Sequence, residues 1–378
     1  MYASLHNHTQ FSNLKLRDSI NRIPDMVKRA IDYGFNSLAI TDHEVLSGHI
    51  EALEVGDKIR EEHPDFKIIL GNEIYLIRED EYKNAEKYWH FILLARTKAG
   101  HKILRQLSTR AWERSYVERG QRRCPTFIED LEELVKPNQG DVIASTACLG
   151  GYLPNRILSH NTKDVAQFLT RCVNIFGKEN FFLEMQDSDT EEQQIVNRAI
   201  VKISAQTGIP YIITQDAHYD VAESLPLFSA FLNSKEEKDR EVDSFYKYTY
   251  MKTEDEMKKI LSYLPAEDVQ RGIDNTQLIY NRIEHFDLRS DTLVPQRKLP
   301  EGFEVKHLFK EWYEKYPFVK QYAYAEDPQD RFLMYLIERG VEDKKLTLDE
   351  AHIERINREL DILSYSSGNL GQPSSAYL

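Results

Sequence analysis

Cysteine is scarce in this chain, and long apolar runs are missing from it. The 378 residues include three cysteines, Cys124, Cys148 and Cys172, which are odd in number and far apart. This spacing argues against a disulfide framework and favours a reducing compartment. No apolar run approaches the length of a membrane span, and residues 1–4 lack the basic and apolar stretches of a signal peptide. We therefore expect a cytoplasmic protein with no membrane contact.

Positive charge is also in deficit, because the formal net charge is −13. This balance argues against nucleic-acid binding over the whole surface, although bound divalent cations would reverse the local sign. Residues 98–123 are the exception, and their arginines are Arg105, Arg110, Arg114, Arg119, Arg122 and Arg123. This segment is either a solvated helix face or a phosphate-binding flank, and the sequence leaves both interpretations open.

Seven short apolar runs predict β-strands, and metal-type side chains lie at or beyond the ends of nearly all of them. The runs cover residues 2–5, 37–41, 67–76, 91–94, 142–144, 181–183 and 211–214. The polar residues in question are His6, His8, Asp42, His43, Glu73, Cys148, Glu184, Asp216 and His218. His90 is the exception, since it precedes its strand. In a β/α barrel the carboxyl ends of the strands converge on one face, so these residues predict one compact site.

Segments with helical periodicity alternate with these strands over residues 1–285. They cover residues 20–33, 47–62, 102–118, 128–135, 164–176, 191–207 and 222–234. The alternation predicts a parallel sheet with helices outside, and seven strands favour a closed barrel. Residues 286–304 are polar and punctuated by proline, which predicts a linker. Helices are then expected at 305–316, 330–339 and 348–363 of a third region, 305–378, whose Ser- and Gly-rich end should be poorly ordered.

The types of side chain favour a transition-metal centre. His6 and His8, two residues apart, lie on the same side of a strand, which alone is weak evidence. The motifs TDH (41–43), GNE (71–73) and DAHY (216–219) strengthen it. Imidazole mixed with carboxylate suits Zn, Mn or Fe better than Ca or Mg alone. Two or three such ions held close together suit phosphoester cleavage.

Two further residues have alternative interpretations. Cys148 is either a thiolate ligand or a small buried hydrophobic residue. Glu184 either orients a ligand or is a polar residue at a strand end.

The motifs around these residues resemble those of the PHP (polymerase and histidinol phosphatase) superfamily. They are LHNHTQFS (5–12), AITDH (39–43), GNEIY (71–75), His90 ahead of LLA (93–95), and DAHY (216–219). Within the superfamily, CLGG (148–151) and LEMQ (183–186) resemble the amino-terminal region of bacterial or phage C-family DNA polymerases, the DNA polymerase III alpha subunit. Residues 293–302 and 355–363 are similar to the stretch that leads into the polymerase palm.

The resemblance implies a distorted seven-stranded (β/α)7 barrel, the PHP fold, followed by a mostly helical partial palm. It also implies three metal sites, with ligands His6, His8, Glu73 and Asp216 for the first, Glu73, His90 and Cys148 for the second, and Asp18, His43 and His218 for the third. Glu73, Asp216 and His8 are the implied catalytic residues. The segment between His8 and Asp18 is a few residues longer than the family pattern, and no ligand position is replaced.

An intact ligand set implies a metal-dependent phosphoesterase with two to three Zn or Mn ions, or Fe. In polymerase-linked members this activity is a 3′–5′ exonuclease, so DNA and the rest of a polymerase or replisome are the expected partners. Arg110, Arg114, Arg122 and Arg123 are the expected DNA contacts. The full-length parent would be a DNA-directed DNA polymerase, but this chain should not extend DNA, since its carboxylates after Phe303 lie in helices and loops. The alternatives are a standalone histidinol-phosphatase-like enzyme with the same barrel and a non-catalytic scaffold stabilised by metals.

Overall fold

The chain divides into two compact units, Met1–Leu288 and Arg289–Leu378. The computed structural model describes residues 1–83, 87–118, 121–234, 244–290 and 293–377. Within these residues, every strand belongs to the first unit, and the second unit is helical. Over the same described ranges, no helix is long and apolar enough to cross a membrane.

Seven strands form the wall of a nearly closed barrel, in the order β1-β2-β3-β4-β8-β9-β10. They are β1 (Ala3–Ser4), β2 (Ser37–Ile40), β3 (Lys67–Ile77), β4 (Trp89–Ala95), β8 (Val142–Ser145), β9 (Phe181–Gln186) and β10 (Tyr211–Thr214). A bridge between Asn7 and Ala217 joins the two ends of the sheet. The predicted number of barrel strands is therefore confirmed.

The prediction of a parallel sheet is wrong at one strand. Strand β4 is antiparallel to both β3 and β8, while the other neighbours in the wall are parallel. The connection from Ile77 to Trp89 contains no α-helix among its described residues. A short connection without a crossover element returns the chain antiparallel, which the alternation of apolar runs alone does not reveal.

Three short strands lie outside this order. Strands β5 (Tyr116–Glu118) and β6 (Gln121–Arg123) form an antiparallel pair, and β7 (Pro125–Phe127) pairs with β3. The helix predicted for 102–118 is α3 (Lys98–Glu113), so its predicted end is wrong. Tyr116 and Val117 favour a strand, and they pair with β6. Arg119 lies outside the described residues.

Helices surround the barrel. In the first unit they are α1 (Ile23–Asp32), α2 (His49–Ile59), α3, α4 (Ile128–Leu134), α5 (Tyr152–Leu158), α6 (Thr162–Phe176), α7 (Glu191–Thr207), α8 (Leu225–Asn233), α9 (Glu254–Ile260), α10 (Ala266–Asp274) and α11 (Thr276–Tyr280). Helix α1 has Pro24 in its first turn and buries Ile23, Met26, Val27 and Ala30 at helical spacing. Helices α5 and α9–α11 were not predicted from the sequence.

Two apolar layers position the polar end of the barrel. One lies between the strands and the outer helices and includes Tyr2, Leu38 and Leu70. The other includes Ala39, Ile69 and Ile279 from α11. Because alternate strand residues face opposite sides, Ile69 shares its side of β3 with Gly71, Glu73 and Tyr75. The interior of the barrel is thus apolar at one end and polar where the strands end.

The second unit has its own apolar core, formed by residues such as Phe309, Val319 and Leu360. Its helices are α12 (Pro317–Ala323), α13 (Pro328–Asp343) and α14 (Glu350–Leu370). The helix predicted for 305–316 is wrong. His307 has a φ of +60°, and the backbone N–H groups of Lys306 and Leu308 donate to the buried Glu338 carboxylate at 2.6 and 2.8 Å. These bonds replace the helical ones.

The end of the chain is more ordered than its composition predicts. Helix α14 extends to Leu370, and Gly371 follows it in the left-handed conformation, at φ +64°. Ser374 is buried and donates its hydroxyl to the Leu363 carbonyl at 2.8 Å. The expected disorder is therefore wrong for residues 364–377, while Leu378 lies outside the described residues.

Candidate metal centre

All nine predicted metal ligands lie together at the polar end of the barrel. They are His6, His8, Asp18, His43, Glu73, His90, Cys148, Asp216 and His218. Eight of them are no more than 5% exposed, whereas the side chain of His90 is 22% exposed. The centre is therefore buried, and His90 marks the edge that solvent reaches.

The reversed direction of β4 explains why His90 belongs to this centre. The other strands of the wall bring their carboxyl ends to this face. Since β4 runs the opposite way, its first residues lie at that face, and His90 pairs in register with Tyr75 near the end of β3. A histidine ahead of its strand thus reaches the same place as histidines that follow theirs.

The ligand atoms form three groups, each with all its atoms within 4.8 Å of one another. The groups are His6, His8 and Asp216; Glu73, His90 and Cys148; and His8, His43 and His218. The second group is the set implied by the family resemblance, and the first contains three of its four implied ligands, without Glu73. In the third, Asp18 also approaches, with its Oδ2 3.0 Å from His43 Nε2 and 3.6 Å from His218 Nε2. The longer segment before Asp18 does not displace it.

Glu73 joins these groups. Its Oε1 lies 2.7 Å from His90 Nδ1 and 4.0 Å from Cys148 Sγ. Its Oε2 lies 2.5 Å from His43 Nδ1 and 3.4 Å from His8 Nε2. Burial would raise the pKa of Glu73, but the positive charges of His90 and His43 outweigh it and hold that pKa well below its usual value. One ionised carboxylate therefore contacts two separate groups of ligands.

Cys148 reaches the centre through a glycine-dependent turn. Its Sγ lies 3.4 Å from His90 Nδ1 and accepts from the backbone N–H of Gly150 at 3.4 Å. A Cβ at Gly150 would lie 2.9 Å from the His90 ring, so only glycine permits this approach. Burial, together with the charges of Asp216 and Glu73, raises the pKa of Cys148 well above its usual value. A nearby cation would reverse that effect.

Glu184 orients His6. The Nδ1–H of His6 donates to Glu184 Oε1 at 2.6 Å, and Thr214 Oγ1 donates to the same oxygen at 2.6 Å. His6 Nε2 then faces His8 Nε2 at 3.2 Å and Asp216 Oδ1 at 3.2 Å. Burial opposes protonation of His6, but Asp216 and Glu184 outweigh it and raise its pKa to about 9. Of the two interpretations of Glu184, the geometry favours the orienting role.

A second chain of hydrogen bonds orients His8. Ser12 Oγ donates to Asp42 Oδ1 at 2.7 Å, so it accepts from His8 Nδ1 at 3.0 Å. His8 Nε2 is left facing Asp216 Oδ1 at 3.1 Å. Burial, with the positive charges of His43 and His218, lowers the pKa of His8 to about 3. Ser12 was not among the residues predicted from the sequence, although its spacing of four residues from His8 is a usable signal.

The backbone is strained where the polar residues leave the barrel. Glu44, Ala147 and Asp216 have φ values of +52°, +57° and +49°, a region that costs about 1–3 kcal/mol for residues other than glycine. Each lies within a few residues of the carboxyl end of a wall strand. Strain of this kind persists where the surrounding structure fixes a functional geometry.

The donor set fits divalent transition metals. Among the nine ligands, the buried oxygens Asp18 Oδ1 and Asp216 Oδ1 have no hydrogen-bond partner, and His43 Nδ1 and Glu73 Oε2 face each other at 2.5 Å without hydrogen-bond geometry. Buried polar atoms without partners are costly, and a bound cation would offset that cost. Imidazole nitrogen, carboxylate oxygen and one sulfur together match the preferences of Zn, Mn and Fe.

The four arginines predicted to contact DNA differ in their surroundings. Arg110 donates to Asp130 at 2.9 Å and to Glu133 at 2.6 Å, and Arg114 donates to Asp130 at 2.9 Å. Arg122 is exposed and bonds the Ser115 hydroxyl at 2.9 Å. Arg123 is partly buried, 3.4 Å from a Glu118 oxygen. Carboxylates thus lie beside Arg110, Arg114 and Arg123, and among the described residues Arg122 is the one of the four whose hydrogen-bond partner is uncharged.

A nearly closed barrel with this buried set of ligands defines a class of protein. Residues 4–188 match the family described as PHP domain, and this match includes seven of the nine predicted ligands. The chain therefore contains a PHP domain.

The chain is similar to DNA polymerases. It is 37% identical over 402 residues to the DNA-directed DNA polymerase of Bacillus phage SPbeta, a match that covers 98% of this chain and 31% of that protein. It is 24% identical to the DNA polymerase III subunit alpha of Treponema pallidum (strain Nichols), over 96% of this chain and 28% of the relative. The chain is similar to a PHP-containing region of these polymerases, and it spans about a third of the length of these relatives.

A solved structure gives a weaker match. An amidohydrolase from Chromobacterium violaceum aligns with a TM-score of 0.36 and 13% identity, over 58% of this chain and 88% of that one.

Proposed function

We propose that the barrel is a metal-dependent phosphodiesterase that removes nucleotides from 3′ ends of DNA, as the exonuclease part of a C-family polymerase. The observation that carries this proposal is the position of Glu73. Its two oxygens contact His90 on one side and His43 on the other, at 2.7 and 2.5 Å. A carboxylate shared between two sets of ligands is suited to holding neighbouring cations.

The protein residues have distinct roles in this proposal. His6, His8, Glu73 and Asp216 would hold one ion, Glu73, His90 and Cys148 a second, and Asp18, His43 and His218 a third. Zn or Mn fits this donor set best, with Fe as the alternative. Bound ions in such an arrangement supply an activated water and neutralise charge on the phosphoryl oxygens and the leaving group. Glu184 and Ser12 fix the imidazole orientations, so the site needs little rearrangement.

The burial of the centre supports an exonuclease rather than an endonuclease. Eight of the nine ligands are no more than 5% exposed, and His90 marks the accessible edge. A free strand end can enter such a recess, whereas the middle of a stiff duplex cannot. Arg122, exposed on β6 of the first unit, would contact the phosphates of the approaching strand.

The extent of the similarity favours a polymerase-linked enzyme over a standalone phosphatase. The match to the phage polymerase covers 98% of the chain, and so includes the helical unit Arg289–Leu378. A phosphatase of small substrates has no need of that unit. The scaffold alternative differs in predicting no turnover, so activity measurements distinguish it.

The test is a nuclease assay on single-stranded DNA and on primer–template DNA, labelled at the 5′ end, with Mn or Zn titrated into metal-free protein. We expect products shortened by single nucleotides from the 3′ end, and none with Glu73→Ala. Activity retained in Glu73→Ala would indicate a contaminant or another site. A metal-loaded wild-type protein that cleaves no DNA would favour the non-catalytic scaffold interpretation.

A further inference from the structure

A lysine–tyrosine pair lies at the edge of the metal centre. Tyr75 follows Glu73 by two residues on β3, so both side chains face the same side of the strand. The Tyr75 ring centroid is 4.9 Å from that of His90 and 5.9 Å from that of His43. The ammonium group of Lys15 lies over the Tyr75 ring, 4.6 Å from its centroid. The pair therefore adjoins ligands from two of the three groups.

The side-chain polar atoms of this pair have no hydrogen-bond or ion-pair partner among the described residues. The Tyr75 residue is only 8% exposed, and its buried hydroxyl makes no hydrogen bond. In the same described part of the chain, Lys15 Nζ has no carboxylate within 4.0 Å and donates no hydrogen bond. An unsatisfied buried hydroxyl is energetically costly. Such a cost is expected where the group awaits a ligand.

A similar pair elsewhere in the barrel shows the contrast. Lys67 Nζ lies 4.4 Å from the Tyr280 ring centroid. It donates to the carbonyls of Tyr280 and Ile283 at 2.8 and 2.9 Å, and the Tyr280 hydroxyl donates to the Asp65 carbonyl at 2.6 Å. In the Lys67–Tyr280 pair both the ammonium group and the hydroxyl donate hydrogen bonds, whereas within the described ranges the equivalent groups of Lys15 and Tyr75 do not. The unused donors therefore belong to the metal-site pair and are not a general property of stacked lysine and tyrosine.

We propose that Lys15 and Tyr75 bind a phosphoryl oxygen of the substrate beside the metal centre. This inference rests on the proposed phosphodiesterase function and identifies how the substrate is held. A phosphate ester is an anion with several acceptor oxygens, so it accepts from a neutral phenol and an ammonium group together. Both are positioning residues. They hold the phosphoryl group against the ions, and neither takes up nor releases a proton in the reaction.

Two variants remove one donor each. Tyr75→Phe keeps the ring and removes the hydroxyl, and Lys15→Gln keeps most of the chain length and removes the charge. The matched controls are Tyr280→Phe and Lys67→Gln, which alter the satisfied pair. Mn-loaded proteins are titrated calorimetrically with thymidine 5′-monophosphate and with inorganic phosphate. Metal content and melting temperature are measured on the same samples.

We expect Tyr75→Phe to weaken binding of both phosphates by about 2- to 10-fold, as loss of a neutral hydrogen bond does. Lys15→Gln should weaken it by about 10-fold or more, because a charge-assisted bond is lost. Metal content should not change in either variant. The controls should bind both phosphates as the wild type does, whatever their melting temperatures. Equal losses of affinity for both probes place the contact on the phosphoryl group, whereas a loss confined to the nucleotide would overturn the proposed contact.

The inference and the proposed function can fail separately. Wild-type affinity in both Tyr75→Phe and Lys15→Gln would overturn the pair, whether or not the protein cleaves DNA. The pair is equally overturned if the wild-type protein binds neither phosphate, or if the variants lose metal in proportion to affinity. Weakened phosphate binding in a protein that cleaves no DNA would support the pair and refute the exonuclease.

Discussion

Replacing Glu73 with glutamine should empty much of the metal centre while leaving the barrel folded. The amide has the same shape but no charge, and one of its two ends becomes a donor. In the wild type, the carboxylate oxygens lie 2.7 Å from His90 Nδ1 and 2.5 Å from His43 Nδ1. The substitution therefore weakens both sides of the bridge at once.

The size of the effect follows from these two contacts. Interactions that involve an ionised partner contribute about 1.5–3 kcal/mol each, so two of them amount to about 3–6 kcal/mol. That range corresponds to metal retention weaker by about two to four orders of magnitude. We expect elemental analysis, after dialysis in chelator-free buffer, to find two to three ions in the wild type and at most one in Glu73→Gln.

The control is Asp130→Asn, which alters another buried carboxylate of the same unit. Asp130 is 4% exposed and accepts from Arg110 and Arg114, both at 2.9 Å. Its loss should lower the melting temperature without changing the metal content. Full metal occupancy in Glu73→Gln, or an equal loss of metal in Asp130→Asn, would refute the bridging role.

Three other predictions test the charge, the acid stability and the second unit. Arg122→Glu combined with Arg123→Glu should weaken single-stranded DNA binding for all sequences and lower the slope of log K against log salt by about 0.7 per lost phosphate contact. Anisotropy titrations measure this slope, and an unchanged slope would favour the interpretation of residues 98–123 as a solvated helix face. Burial lowers the pKa of His49 to about 3, with His101 adding to the effect, and burial with Arg105 lowers that of His101 to about 4. Both values lie below the unfolded value of about 6.5, so the free energy of unfolding falls as pH drops from 6.5 towards 4. In urea titrations, His101→Gln should reduce that pH slope near pH 5 by up to about 1.4 kcal/mol per pH unit. An unchanged slope would contradict a neutral His101. Primer extension with four nucleotides and Mg or Mn should give no product, since residues 293–377 contain no strand to carry a carboxylate pair, and template-directed extension would contradict this.

The sequence predicted the barrel and most of the candidate ligands because both depend on short-range patterns. Apolar runs of strand length mark the wall, and a polar residue at the end of a wall strand faces one side of the barrel. His6, Glu73 and Asp216 were predicted on this ground. Asp18 was different, since it lies in an irregular segment, and its assignment came from the family resemblance alone.

The features that the sequence did not reveal depend on contacts between distant residues. The direction of β4 is set by a short connection and not by its own residues. The bond between Ser12 and Asp42 spans 30 positions, and no local pattern encodes it. Glu338 resembles any charged residue of an amphipathic helix, yet it is 1% exposed and accepts from backbone N–H groups some 30 residues away.

The arrangement of the centre explains why its ligands need so many supporting residues. A buried imidazole is a useful ligand only when its inward nitrogen carries a lone pair, and this requires an acceptor for the proton on the other nitrogen. Glu184 provides that acceptor for His6, and Ser12 provides it for His8. His218 uses the carbonyl of Asp216, to which its Nδ1–H donates at 2.7 Å. Three histidines are thus oriented by three different kinds of acceptor: a carboxylate, a hydroxyl and a carbonyl. Because these acceptors share no common pattern, the sequence shows the ligand residues as motifs but does not show how the imidazoles are oriented.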